Sequence, residues 1–419
     1  MYTFTETGKH AVDEFAVANG IFQQTSYWAD FRRIFKPTAF IGSDGQKTVL
    51  SCLMLRLAVP CTPYSIGYIT RGFVCDYKNT QLVREFTEYL KAYMRKKHVV
   101  YAIFDPMCDY KVDFEISQPD INELFLSLGY VKNTGVCMQP QTNYRVLYDV
   151  NNDIDSERRR IFDAFAPRLR NDIAISHDRG VICERASGRD LDRAVEIFYN
   201  LLLETTKKKG FGHRSLDYYR RFALSLKDFV TIYLYKYDSA KDIAYTEDII
   251  KSCTEHLARI DAELADPATT DKKKERLAPK RKEVVKQLTA TEARLKVAQS
   301  LRHDPYISAS FYIRMGDKAY NFYGANAAAL RDLRLTANYW DMMYDSVDGT
   351  VSSFNMGGTL KLNSDDIKHD KTYDLYQYKR QYTGQLVQFP GEYFLINNRR
   401  LFELLHNKLN YFRRIVFRF

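Results

Sequence analysis

Several kinds of site that are common in enzymes are missing from this sequence. Its seven cysteines include no C-x-x-C pair, and its eight histidines form no H-x-x-x-H or H-x-x-E-H cluster. A disulfide scaffold and a zinc site are therefore both disfavoured, and we expect reduced thiols and no metal. No Ser–His–Asp set or nucleophile elbow can be identified either. The residues alone do not specify a reaction.

Long apolar segments are also missing. Segment 1–20 has neither the basic start nor the apolar stretch of a signal peptide. Nowhere do about 18 apolar residues follow one another, as a membrane-spanning helix requires. We therefore expect a cytoplasmic protein, and peripheral contact with the inner membrane surface stays open.

Basic and aromatic residues are what the chain has in excess. Its 419 residues are too many for one core and predict two or three domains. The net charge is +10 and the pI about 9.0, which favours an anionic partner such as nucleic acid, a membrane surface or a phosphorylated ligand. The 31 Tyr and 26 Phe residues suit either strands or a large mixed groove.

The order of predicted strands and helices indicates two α/β modules. The first covers 1–145; the second covers 146–245 and 302–384 and is interrupted by 246–301. In the first we predict strands at 47–59, 65–75 and 98–106 and a helix at 80–97 with an apolar face of Leu82, Phe86, Leu90 and Tyr93. In the second we predict helices at 189–205 and 215–226, a strand at 229–237 and a hairpin at 306–325 that turns at Gly316-Asp317.

Segment 246–301 predicts an antiparallel coiled-coil hairpin. The apolar seam consists of Ile250, Cys253, Leu257, Ile260 and Leu264, and then of Leu277, Val284, Leu288, Leu295 and Ala298, with Arg281 and Thr291 at polar seam positions. The first helix carries two basic and six acidic residues, and the second carries ten basic and four acidic ones. Pro279 is expected to kink or delay the second helix. This arm is either simply solvated or binds a polyanion such as RNA.

Nine short motifs occur in an order that resembles the Fem-type (FemABX) family of non-ribosomal peptidyltransferases. Four lie in the first half: FQQTSYW followed by Arg32, YITRGFVCDYKN, YAIFDP and MQP. Five follow: ETTKKKGF, YNFYGAN, FNMGG, YKRQYTG and GEYFL. The chain departs from the family pattern at four positions, where Lys208 replaces arginine, Lys209 and Asn355 replace aspartate, and Asn326 replaces serine.

The resemblance implies an α/β (α+β) fold of two acetyltransferase-like (GNAT) modules with mixed sheets and a coiled-coil arm, with 385–419 packed back on the first module. It implies transfer of an amino acid from aminoacyl-tRNA to a stem-peptide amine of a lipid-linked peptidoglycan precursor, without metal or cofactor. Other Fem-type proteins are possible partners.

The resemblance also implies a set of site residues. Lys379 falls where the family has a lysine at the precursor groove, so we expect it to bind diphosphate or donor charge and to contribute to catalysis by positioning. Arg32 and Lys208 would complete the anion site. The resemblance assigns no protein base. The other expected substrate-binding residues are Arg71, Tyr323, Asn355 and Tyr382.

Two alternatives stay open. One is an acyl-CoA N-acyltransferase on the same fold, although the sequence has no proper phosphate-binding loop. The other is a non-catalytic protein that binds RNA or the precursor. The basic C-terminal segment 399–419 either packs as a helix on the first module or rests on anionic lipid.

Overall fold

The structure of the protein is a computed structural model that describes residues 2–118, 120–209, 212–301, 305–333, 335–336, 339–360 and 367–416. The side chains of residues 208, 209 and 367 are not described, so the expected site residue Lys208 lies outside the described side chains. Within these ranges no helix is long and apolar enough to cross a membrane.

The first sheet is mixed and contains eight of the described strands, numbered here in chain order. They are β1 (Thr3–Thr7), β2 (Lys36–Ser43), β3 (Thr48–Ala58), β4 (Ser65–Ile69), β5 (Val74–Cys75), β6 (Val99–Phe104), β9 (Tyr130–Lys132) and β17 (Tyr393–Ile396). Their order is β1-β2-β3-β4-β6-β17-β9, with β5 paired to β3. Only β4 and β6 run parallel among these pairs.

The second sheet contains nine of the described strands. They are β7 (Lys111–Val112), β8 (Glu115–Ile116), β10 (Thr142–Leu147), β11 (Val181–Ala186), β12 (Val230–Tyr237), β13 (Tyr306–Met315), β14 (Lys318–Asn326), β15 (Ser353–Gly358) and β16 (Gln385–Gln388). Their order is β11-β12-β13-β14-β15-β10-β16-β7-β8. The mixed α/β architecture with two mixed sheets, predicted from the sequence, is confirmed.

A bulge and a separation of strands interrupt the middle of the second sheet. β14 and β15 run parallel and pair only from Lys318 to Tyr320. On its other edge, β14 pairs with β13 through a register shift that leaves Phe322 as an extra residue. Because side chains alternate along a strand, Lys318 and Tyr320 lie on one face and Asn321 lies on the other.

The helices pack around and between the sheets. Residues of both sheets and of the intervening helices share one core, in which the Phe22 ring of the first module lies 5.1 Å from the Phe322 ring of the second. The modules are therefore joined by a continuous apolar contact. The α-helices are α1 (Asp13–Ala18), α2 (Ser26–Phe31), α3 (Thr80–Lys96), α4 (Ile121–Ser127), α5 (Ile154–Ala164), α6 (Pro167–Asp178), α7 (Leu191–Lys209), α8 (Leu216–Ser225), α9 (Ser239–Ala265), α10 (Asp271–Ser300), α11 (Ala328–Asp332), α12 (Trp340–Ser346), α13 (Tyr373–Arg380), α14 (Arg399–Phe402) and α15 (Tyr411–Val416).

The arm is a hairpin of α9 and α10. Cys253, Ile260, Leu277 and Val284 form its buried seam. Across the seam, Arg281 Nε donates to Asp261 Oδ1 at 2.6 Å. α9 begins at Ser239, before the predicted start at 246, and α10 runs from Asp271 through Pro279 without delay. At the base of the arm, Asp242 in the first turn of α9 forms a fully buried ion pair with Arg179.

The sheets divide the chain differently from the predicted boundaries. The predicted boundary after residue 145 falls inside β10. β7 and β8 precede that boundary in the chain, yet they belong to the second sheet. Likewise β16 lies in the second sheet, whereas β17 lies in the first. The reason is a pairing between distant segments, since β16 pairs with both β10 and β7. Segment 385–419 thus contributes to both modules.

Candidate functional site

The first cleft lies where the two modules meet, at the carboxyl ends of β4 and β6. It has a volume of about 320 Å³. Both sheets line it: the first through the turn after β4, and the second through β10, β14 and β15. Its polar lining residues include Arg71, Asp109, Asn143, Arg145, Lys318 and Asn355.

Arg71 is held rigidly at this cleft. Its backbone adopts a positive φ of 61°, and its N–H donates to Asp105 Oδ1 at 2.9 Å. Its guanidinium donates to the Pro140 carbonyl oxygen at 3.0 Å and lies 5.2 Å from the Phe389 ring. Three contacts from separate segments therefore fix one cation, which costs little further ordering when an anion binds.

Asp105 supports Arg71 from behind the cleft. Its Oδ2 lies 3.6 Å from Arg71 Nη1, and the residue is fully buried. Burial raises the pKa of this carboxyl to about 7, although the Arg71 charge opposes the shift. Asp105 does not line the cleft. We therefore regard it as a positioning residue for Arg71 rather than a base that meets substrate.

The other charges of the first cleft come from the second sheet. Arg145 donates to both carboxylate oxygens of Asp109, at 3.3 and 2.7 Å. Lys318 donates to the Asn19 carbonyl oxygen at 2.7 Å, and burial lowers its pKa. Asn143 is 7% exposed, and its Oδ1 has no hydrogen-bond partner among the described residues. The cleft thus offers cations, carboxylates and a free acceptor to a ligand of mixed charge.

The second cleft lies on the opposite face of the second sheet and measures about 470 Å³. β15 pairs with β14 only as far as Tyr320, and the cleft opens beside the edge of β14 that is unpaired with β15 beyond that residue. Aromatic and hydroxyl groups dominate one wall, and Arg331 supplies a cation. Its lining includes Ser308, Asn321, Asn326, Arg331, Tyr339 and Tyr378. The buried Asn321 Oδ1 has no described hydrogen-bond partner.

Lys379 lies at the point where β14 and β15 separate. Its Nζ donates to the carbonyl oxygens of Gly357 and Gly358, at 2.9 and 2.8 Å, and the residue is 2% exposed. Burial lowers the pKa of Lys379 to about 7. A neutral amine has two N–H groups, which these two carbonyl oxygens satisfy. The partners found here are neutral rather than anionic.

Arg32 lies elsewhere, at the end of α2. Its guanidinium lies 5.4–5.9 Å from the rings of Trp28, Phe31 and Phe35 and is 8% exposed. Among the described residues no carboxylate pairs with it. Tyr218 lines the same small pocket, and its hydroxyl lies 3.3 Å from that of Tyr323.

The expected site residues therefore fall in four places. Arg71 and Asn355 line the first cleft, Arg32 and Tyr323 lie near Tyr218, and Lys379 lies at the strand separation. Tyr382 is fully buried, and its hydroxyl lies 3.0 Å from that of Tyr378, so it supports the second cleft from behind.

Sequence reasoning missed several lining residues. Arg145 had a usable signal, because it is the one charged residue of a mostly buried strand. Lys318 lies just before the YNFYGAN motif, and Tyr320 is the first residue of that motif. Tyr339 gave no signal, and Tyr378 lies in the YKRQYTG motif without any indication of its role, since the place of both in the second cleft depends on how distant segments pack.

Comparison with known proteins gives one consistent result. The model of the FemAB family matches residues 8–407. A lipid II:glycine glycyltransferase of Staphylococcus aureus (strain USA300) is 25% identical over 414 residues, covering 92% of this chain and 90% of that protein. The protein with the same name from Staphylococcus epidermidis (strain RP62A) is 24% identical over 408 residues, with the same coverage. The crystal structure of FemX superimposes with a TM-score of 0.70 at 20% identity, covering 96% of this chain and 99% of that one.

Proposed function

The chain belongs to the FemAB family, and we propose that it is a tRNA-dependent aminoacyltransferase of peptidoglycan bridge formation. It would move an amino acid from aminoacyl-tRNA to a stem-peptide amine of a lipid-linked precursor, at the cytoplasmic face of the membrane. The names of its relatives support the acceptor class. The observation that carries the proposal is the pair of clefts on opposite faces of the second sheet, which approach each other where β14 and β15 separate.

We assign the donor to the second cleft. Tyr339 and Tyr378 offer aromatic faces for a terminal base, and base–aromatic stacking contributes roughly 1–3 kcal/mol per base. Asn326 and Ser308 can hydrogen-bond ribose, and Arg331 can meet a phosphate. A helix of five residues follows β14, and no glycine-rich phosphate loop precedes it. An RNA end therefore fits better than the diphosphate of an acyl-CoA.

We assign the acceptor to the first cleft. A stem peptide carries carboxylates along its chain and an amine on its diamino acid. Arg71 and Lys318 suit the carboxylates, whereas Asp109, shared with Arg145, suits an ammonium group before reaction. Mixed charge in one cleft is what such a ligand requires.

The reaction is aminolysis of an ester. After its ammonium form has lost one proton to solvent, the acceptor nitrogen attacks the ester carbonyl carbon. The bond from that carbon to the ribose oxygen breaks, and the ribose oxygen takes up the second proton that the nitrogen releases. Backbone N–H groups on the edge of β14 that β15 leaves can stabilise the developing oxyanion. Lys379 fixes the opposite strand through Gly357 and Gly358. Positioning of the two substrates is then the main source of rate.

The test is transfer of radiolabel from a pool of aminoacyl-tRNAs to lipid-linked precursor, with acetyl-CoA as a parallel donor. We expect transfer from tRNA only. Arg145→Gln should raise the KM for the precursor, and Tyr378→Ala should raise the KM for aminoacyl-tRNA. The control Arg189→Gln, at an exposed position, should change neither KM value. Lys379→Ala should lower kcat.

Three outcomes would contradict the proposal. Precursor binding without transfer from any tRNA would favour the non-catalytic alternative. Transfer from acetyl-CoA would favour the acyl-CoA alternative. Equal effects of the Arg145 and Tyr378 variants on both KM values would contradict the separate assignment of the clefts.

A further inference from the structure

The described end of the chain has one buried side and one exposed side. It consists of α14, a π-helix at Glu403–Lys408, and α15. Four apolar side chains, those of Phe402, Leu405, Phe412 and Val416, pack into the core that joins the modules. The Phe412 ring lies 5.5 Å from that of Tyr68 in the first sheet. This packing fixes the outer side in one orientation.

The outer side is strongly basic. Arg399, Arg400, Lys408 and Arg414 are exposed. The only carboxylate between residues 397 and 416 is that of Glu403, which lies 3.2 Å from Arg399 Nε. Three of the four basic side chains thus have no carboxylate from their own segment. Such a surface attracts an anionic partner.

Apolar side chains lie among these charges. Leu404 and Leu409 are each 43% exposed. They are one π-helical turn apart, since the Leu409 N–H donates to the Leu404 carbonyl oxygen at 3.0 Å. Val136 is 73% exposed and lines a groove together with Asn407. We call Val136, Leu404, Leu409 and the four basic residues the C-terminal surface.

The loop that carries Val136 is fixed from within. The Glu392 carboxylate is 2% exposed and accepts hydrogen bonds from Asn133 Nδ2 at 2.6 Å and from the Met138 N–H at 2.7 Å. Arg413 donates to the neighbouring Cys137 carbonyl oxygen at 3.3 Å. The loop and the C-terminal segment are therefore one rigid surface, and ordering it on a partner costs little.

We propose that the C-terminal surface docks the protein on an anionic lipid bilayer. Basic side chains meet the headgroups, and Val136, Leu404 and Leu409 enter the boundary between headgroups and acyl chains. Exposed leucines beside arginines distinguish a bilayer from RNA, because an RNA backbone offers them no apolar contact. The proposal does not depend on the transfer reaction, although it would bring a lipid-linked acceptor and the enzyme to the same plane.

The experiment is flotation of the purified full-length protein with vesicles that contain no precursor. Vesicles of phosphatidylglycerol and phosphatidylcholine are compared with vesicles of phosphatidylcholine alone. We expect binding to the anionic vesicles only. Leu404→Gln/Leu409→Gln should weaken it roughly ten-fold. Arg400→Gln/Lys408→Gln should weaken it roughly 25-fold at low salt, at about five-fold per basic residue.

Matched controls separate docking from loss of fold or of overall charge. Arg189→Gln/Lys227→Gln removes two exposed basic residues elsewhere, and Leu147→Gln removes a leucine that is 46% exposed. Both should bind like the parent protein, and all variants should keep its unfolding temperature. Absence of binding by the parent, or equal binding by the leucine pair and its control, would overturn the proposal. RNA binding is measured on the same proteins. If Arg400→Gln/Lys408→Gln loses RNA binding but keeps vesicle binding, the surface binds RNA instead.

Discussion

Replacing Lys379 with methionine should change how the stability of the protein depends on pH. Methionine has nearly the same length and fills the same space, but it cannot carry a proton. In the parent protein Lys379 is 2% exposed, and burial lowers its pKa from 10.5 to about 7. In the unfolded chain the amine returns to its ordinary value. Between pH 7 and 10.5 the unfolded chain therefore binds a proton that the folded chain does not.

The size of the effect follows from that difference. Stability rises with pH wherever the unfolded state binds more protons, by about 1.4 kcal/mol per pH unit for one proton. Across the whole interval the parent protein should gain about 4–5 kcal/mol from this lysine, and about 3 kcal/mol between pH 6.5 and 9.5. For a chain of this length that corresponds to a shift in unfolding temperature of roughly 3–6 °C.

The assay is thermal unfolding of both proteins at pH values from 6.5 to 9.5. The measured quantity is the parent unfolding temperature minus that of Lys379→Met. This difference should be smallest, or negative, at pH 6.5 and should increase steadily with pH. At high pH the variant should be the less stable protein, because Gly357 and Gly358 lose their hydrogen bonds.

A methionine at exposed Lys371 is the matched control, since it removes one lysine from the same region without burial. Its difference from the parent protein should stay constant with pH. If the Lys379→Met difference is also constant, Lys379 is charged in the folded protein throughout this range. It would then have an anionic or solvent partner, and the neutral-amine interpretation would be wrong.

Three further predictions concern buried charge. Arg179→Met should cost about 3–5 kcal/mol in urea unfolding, because it leaves the Asp242 carboxylate buried without its cation, and adding Asp242→Leu should restore most of this loss. Asp105→Asn should gain stability relative to the parent protein as pH rises from 4 to 8, by about 4 kcal/mol. The raised pKa of Asp105 means that the folded parent binds a proton there that the unfolded chain does not, so the parent loses stability across this window. Asn355→Asp should raise the pH at which the stability difference between the protein with Lys379 and its Lys379→Met variant begins to increase, because a carboxylate nearby favours the protonated lysine. Asn355→Ala should not change that pH. A value that stays near 7 in both variants would show that positions 355 and 379 are not coupled.

Elements with a strong local pattern could be predicted from the sequence. The predicted helix 80–97 is α3, and its four apolar positions Leu82, Phe86, Leu90 and Tyr93 are all buried. The predicted turn at Gly316 joins β13 to β14, and Gly316 has a positive φ of 56° there, which favours glycine. In both cases neighbouring residues alone carry the information.

What could not be predicted depends on contacts between distant segments. β7, β10 and β16 come from three parts of the chain and are too short to show a clear alternation of apolar and polar residues. Their pairing is the reason why the sheets divide the chain differently from the predicted module boundaries. The candidate site has the same origin. Arg71 lies in a turn of the first module, yet Asn355 from the second lines the same cleft. The order of the motifs identified Arg71 and Asn355 as site residues, but it did not indicate which side chains lie together.

Asn355 and Lys379 are best understood together. Asn355 Oδ1 accepts from the Gly357 N–H at 2.8 Å, and Lys379 donates to the carbonyl oxygen of the same glycine at 2.9 Å. At position 355 the family pattern has aspartate, whose negative charge would favour a protonated lysine nearby. With asparagine the acceptor for Gly357 is kept while that charge is absent, which matches a lysine whose pKa is lowered by burial alone. This departure from the pattern therefore changes the charge at the strand separation while it preserves the backbone geometry there.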